Sequence, residues 1–103
     1  MLDTMTLTEF LLWRIAVDED RHAFRDLAEV FRARGEGLVA DFLDKEEARA
    51  LAECEAKRRI VSGLDAVLAQ SRNHEQRQNA ETTLRHLAAV YSDHPDYREE
   101  WRP

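Results

Sequence analysis

Glu19 and His22 stand three residues apart, the Glu-x-x-His spacing by which one helix gives two ligands to a di-metal centre. Asp18 and Asp26 flank His22 on the same face. Such a centre needs a second copy of the motif and two further inward carboxylates. The chain holds no second copy, and this set lies off the apolar stripe of its own helix, so solvated charges are expected and no metal or other cofactor. Lys57, Arg58 and Arg59 form the one basic cluster. Consecutive helical residues are about 100° apart, so these three side chains fan around the axis rather than making a phosphate-binding face. Glu53 and Glu55, four residues earlier, offer them intrahelical partners. The single cysteine, Cys54, has no Cys or His at ligand spacing and reads as a small core thiol. His74, His86 and His94 are scattered. With no Gly-x-Ser-x-Gly, no Cys–His couple and no Gly-rich phosphate loop, nucleophilic catalysis finds no support.

What remains is the C-terminal stretch Ser-Asp-His-Pro-Asp-Tyr-Arg-Glu-Glu-Trp-Arg-Pro, residues 92–103. Two readings are open. Tyr97 and Trp101, aromatic rings with a polar edge, can fold back over the protein's own core. Alternatively the segment docks on a partner, since Trp, Tyr and Arg are the preferred anchors of interfaces. On the second reading Trp13, Tyr97 and Trp101 are the anchors, with Arg98 and Arg102 as pairing groups. Pro95, as first residue of a short helical turn, would set Tyr97 and Trp101 four apart on one face.

The elements that must position these residues are helical. Thr6 and Glu9 make a capping box that opens helix one, expected over residues 7–34 unless Asp18 to Asp20 breaks it. Phe10, Val17, Phe24 and Phe31 recur every seven residues, with Trp13 and Leu27 between them, as a heptad seam suited to dimerisation. Phe10, Leu11, Leu12, Trp13, Ile15 and Val17 point almost all around the axis, which requires burial on several sides. Gly35 and Gly37 supply the stop. Residues 38–43 should then pack as an apolar turn. Asp44 and Glu47 repeat the capping-box spacing and would start helix two, over about residues 45–70, its buried side being Cys54, Ile60, Val61, Leu64, Val67 and Leu68. Helical projection turns Lys57 toward that side, suggesting a partly buried ion pair with Asp20. Helix three should start near Ser71 or Asn73 and run to Tyr91, with Ala80, Leu84, Leu87, Ala88 and Tyr91 as its stripe.

Length and composition agree with one all-α domain over residues 1–103. The chain has 103 residues, 44% hydrophobic and 35% charged, with 3 Gly and 2 Pro. Its formal net charge is −6, and the first 44 residues hold 5 Arg against 10 acids, so nucleic acid is an unfavoured partner. The longest apolar run, residues 10–17, is interrupted by Arg14 and is too short to span a bilayer. No membrane partner is expected, and the cytoplasm is the expected compartment.

Three stretches carry a family resemblance: residues 9–19, residues 48–61, and residues 83–103 with the closing Tyr-Ser-Asp-His-Pro-Asp-Tyr-Arg-Glu-Glu-Trp-Arg-Pro motif. Covering about half the chain, they resemble a family of small actinobacterial proteins of unknown function, also met in phages and mobile elements of those hosts. For many relatives the resemblance implies a Cys- and His-containing insertion, of zinc-site type, just before the third helix. Here that region, residues 71–82, holds only His74 and no Cys, so zinc binding does not carry over. The family supplies no activity to transfer. The resulting expectation is a three-helix bundle of long amphipathic helices with a short C-terminal helical turn. It would act as a non-enzymatic interaction or regulatory module with a protein partner or a second copy of itself. The alternatives are a metal- or small-ligand-binding bundle around Glu19 and His22, or a dimeric nucleic-acid regulator using Lys57 to Arg59.

Overall fold

A computed structural model describes residues 5–21 and 25–103. The described residues are helical throughout their regular structure, without a strand: α1 (Leu7–Arg21), α2 (Arg25–Ala33), α3 (Gly37–Gln70), α4 (His74–Ala89), and a C-terminal 3-10 turn, Glu99–Trp101. Where three long helices were expected, the described residues form four helices, of which α2 is nine residues long. His22 and Phe24, parts of the metal-type spacing and of the heptad seam, lie outside the described residues. Contacts divide the chain into two compact units, Met1–Arg14 with Arg58–Pro103, and Ile15–Lys57.

The helix boundaries follow from local chemistry. At the start of α1 the Glu9 amide donates to Thr6 Oγ1 at 3.1 Å, and the Thr6 hydroxyl donates to the Glu9 carboxylate at 3.0 Å. This is the expected capping box, with the hydroxyl bond closing on the carboxylate. Helix α2 ends in a Schellman motif. Gly35 takes φ +80°, its N–H donates to Arg32 O at 3.1 Å, and the Glu36 N–H donates to Phe31 O at 2.9 Å. The expected start of helix two at residue 45 is wrong by two turns. α3 begins at Gly37 and absorbs residues 38–43, because Asp44 is engaged elsewhere. With Asp41 it accepts from Arg32 Nη2, at 3.0 and 3.1 Å. The hydrogen bonds to Asp44 and Asp41 hold the Arg32 guanidinium above its ordinary pKa. Asn73 caps α4 by accepting from the Gln76 N–H at 3.0 Å. Arg77 donates to Leu68 O at 2.7 Å, satisfying a carbonyl in the last turn of α3.

Burial follows the expected stripes with four corrections. Ala80, Leu84 and Ala88 are buried along α4, and Cys54 and Val61 along α3. Ile60 was assigned to the same side but is 49% exposed. It lies 100° around the axis from Val61, enough to face solvent. Among residues 38–43 only Ala40 is buried, while Leu38 and Phe42 are 88% and 60% exposed. Lys57 and Asp20 are both exposed, so the partly buried pair does not exist. The α1 acid near Lys57 is Asp18, 200° around the helix from Asp20. The heptad seam is also uneven, since Phe10 is buried but Leu27 is exposed.

Candidate functional site

Phe10 is the organising residue. Fully buried on the first turns of α1, it meets five aromatic rings at 5.1 to 6.4 Å between centroids: Trp13, Tyr91, His94, Tyr97 and Trp101. Four of the contacts are edge-to-face, the arrangement that the ring quadrupole favours. The tail reaches Phe10 through a chain of tight turns rather than a helix. After α4 the backbone bonds run from Tyr91 N to Ala88 O at 2.9 Å, His94 N to Tyr91 O at 2.9 Å and Tyr97 N to His94 O at 3.0 Å. Pro95 therefore sits at the second position of a turn, where its fixed φ is favoured, and does not start the helical turn. That turn begins at Glu99. Tyr97 and Trp101 still meet, at 5.8 Å and 82°, because the chain folds and not because they share a helix face. His94 is fixed by the Asp96 N–H, which donates to its Nδ1 at 3.1 Å.

Three cations lie over these rings. Arg98 is 5.7 Å from the Trp101 centroid and Arg102 5.9 Å from that of Tyr97. Each also holds a glutamate. Arg98 Nη1 donates to Glu100 at 3.3 Å, and Arg102 grips Glu99 with Nε at 2.5 Å and Nη2 at 3.1 Å. The hydrogen bonds from Arg102 hold the Glu99 carboxyl below its ordinary pKa and raise that of Arg102 in return. The third cation, Arg14, is itself buried and lies 5.4 Å from the Trp13 centroid and 5.5 Å from that of Tyr91. Sequence reasoning passed over Arg14, noting it only as an interruption of an apolar run. Its position among Phe10, Leu11, Trp13 and Ile15 was the available signal.

The expected docking residues thus divide. Trp101 is buried and Tyr97 half-buried against Phe10, whereas Trp13 keeps 37% of its surface exposed. Arg102 is exposed and Arg98 half-buried at the rim.

A concavity of about 460 Å³ lies within the unit Ile15–Lys57 and is lined by Asp18, Glu46, Arg49, Ala50, Glu53, Cys54 and Lys57. Its charges are mixed, and Arg49 is held by Glu53 at 3.3 Å. Burial pushes the Cys54 thiol above its ordinary pKa, with Asp18 and Glu53 adding to the shift against Lys57. A thiol so placed is a poor nucleophile. Among the described residues no group of three or more His, Cys, Asp or Glu could hold a metal ion. None of the described helices is long and apolar enough to cross a membrane.

A family model covers the whole arrangement, matching residues 4–103. The chain belongs to DUF6221, a family of unknown function. The DUF6221 match takes in both compact units and the closing aromatic segment, beyond the half of the chain on which the resemblance rested. No curated protein and no solved structure matches the chain.

Proposed function

We propose that this DUF6221 chain is a non-enzymatic protein-interaction or regulatory module. On this reading the C-terminal motif serves first as an internal clamp. It secures the first turns of α1 and leaves Trp13 as the exposed ring that faces a protein partner, with Arg98 and Arg102 as pairing groups. One observation carries the reading. The Trp13 ring is held by Phe10 at 6.4 Å and His94 at 5.3 Å, yet 37% of the residue stays exposed. A large ring already locked in place loses little entropy on binding, which is why such residues anchor interfaces. Tyr97 and Trp101 pack on Phe10, the ring that Trp13 leans on. Affinity capture from cells of the source organism tests the proposal, with native chain and Trp13→Ser as bait. Native bait should retain a discrete stoichiometric partner or second copy that Trp13→Ser, equally helical by circular dichroism, does not. Identical recovery by both, or by neither, refutes it.

A further inference from the structure

We infer that Arg14 is the receptor for a carboxylate that the partner supplies beside Trp13, an assignment that deepens the interaction reading above and rests on it. Arg14 is 8% exposed, and its Nε is sealed from solvent without a hydrogen-bond partner. Burying a guanidinium without an opposite charge is strongly unfavourable, more so than for the less buried arginines of the same cluster. Yet those arginines have the acids: Arg98 holds Glu100 and Arg102 holds Glu99. Among the described residues the groups shown against Arg14 are aromatic rings and not carboxylates. Trp13 and Tyr91, each about 5.5 Å from the guanidinium carbon, offset part of the charge and hold its orientation. A rigid guanidinium is suited to two parallel hydrogen bonds with a planar carboxylate.

The surroundings select the anion. A doubly charged phosphate would need a second cation, and Arg98 and Arg102 are committed to their glutamates. A singly charged carboxylate needs one. The apolar ring of Trp13 at the same edge favours a leucine-like side chain next to it, so the recognised element is an apolar residue adjoining an acidic group.

Nuclear magnetic resonance titration of the native chain tests this, following the Trp13 indole N–H at constant ionic strength. The probes are sodium acetate against sodium chloride and sodium sulfate, then acetyl-Leu-Glu-amide against acetyl-Leu-Gln-amide, and acetyl-Leu-Leu with a free C-terminus. Acetate should move the resonance saturably where chloride does not, and the Glu peptide should bind at least about tenfold more tightly than the Gln peptide. Stronger binding of acetyl-Leu-Leu than of the Glu peptide assigns the carboxylate to a chain terminus; the reverse order assigns it to an acidic side chain. Arg14→Lys, which keeps the charge and loses the fork, should weaken either response. No saturable response, equal binding of the Glu and Gln peptides, or preference for sulfate over acetate overturns the assignment. Because the native chain carries the decisive titration, a poorly folding variant does not obscure it. A failed titration with Trp13-dependent capture intact removes the carboxylate alone, whereas loss of both removes the interaction reading.

Discussion

At the scale of single residues, the burden falls on Phe10. Its ring is completely buried and is the common neighbour of five others, so Phe10→Ala leaves a cavity that rigid rings fill poorly. The expected loss is about 3–5 kcal/mol, read from urea unfolding followed by tryptophan emission. Tyr97 makes the opposite case. Its hydroxyl is buried without a hydrogen-bond partner, so Tyr97→Phe should be neutral or stabilising by up to about 1 kcal/mol. A clear destabilisation would show that the hydroxyl is bonded in solution. Glu99 gives the tail a pH dependence. Because Arg102 lowers its folded-state pKa, the unfolded chain takes up the proton first as pH falls. The pair therefore stabilises the tail above the ordinary glutamate range and loses that effect as pH drops through the lowered value. Native and Glu99→Gln chains should differ in unfolding midpoint at neutral pH and converge in acid. The difference should shrink with salt, since the pair is exposed.

Among the elements, legibility tracked how local the signal was. The capping box at Thr6, the Schellman glycine and the Asn73 cap depend on residues within a few positions of one another, and all three are visible in the sequence. The second capping box at Asp44 was a false start. Its carboxylate is taken by Arg32, twelve residues away, a partnership that appears only once α2 turns back through Gly35. Ile60 failed for a related reason, since an apolar residue at a stripe's edge goes to solvent or core according to the neighbouring helix. In the candidate site Trp13, Tyr97 and Trp101 were found by residue type, but Arg14 was not. Its apolar neighbours in the sequence hint at burial, but Tyr91, one of the rings that receives it, lies far along the chain. The glycines test the local part. Gly35→Ala forces a side chain into left-handed backbone and should cost about 1–2 kcal/mol. Gly63, inside α3 with open space where a Cβ would sit, should behave oppositely. Gly63→Ala should stabilise by about 1 kcal/mol, from helix propensity alone. Thermal melts of the two variants, displaced in opposite directions, are the expected result.

Across the whole molecule, the tail and Cys54 report on different units. Residues 92–103 belong with α4 and the first turns of α1, while Cys54 lies in Ile15–Lys57. Deleting residues 92–103 removes His94, Tyr97 and Trp101 from around Phe10, leaving Trp13 and Tyr91 as its ring neighbours. Loss of Trp101 alone uncovers an apolar area that, by comparison with Trp→Ala changes elsewhere, is worth about 3–5 kcal/mol, a large share of a small domain's stability. The truncated chain should therefore show red-shifted Trp13 emission and a broad, early urea transition. Cys54 provides the contrast. Buried, with its thiol pKa raised, it should react with iodoacetamide at pH 8 more slowly than a free thiol. That protection should survive truncation, because the groups shown to shift the thiol, Asp18, Glu53 and Lys57, all lie in its own unit. Simultaneous loss of Trp13 order and Cys54 protection would mean that the two units unfold as one, making the clamp a condition for folding the entire chain. Retained protection confines the clamp to its own unit, where the cost of the C-terminal motif is the cost of holding Trp13 and Arg14 in place.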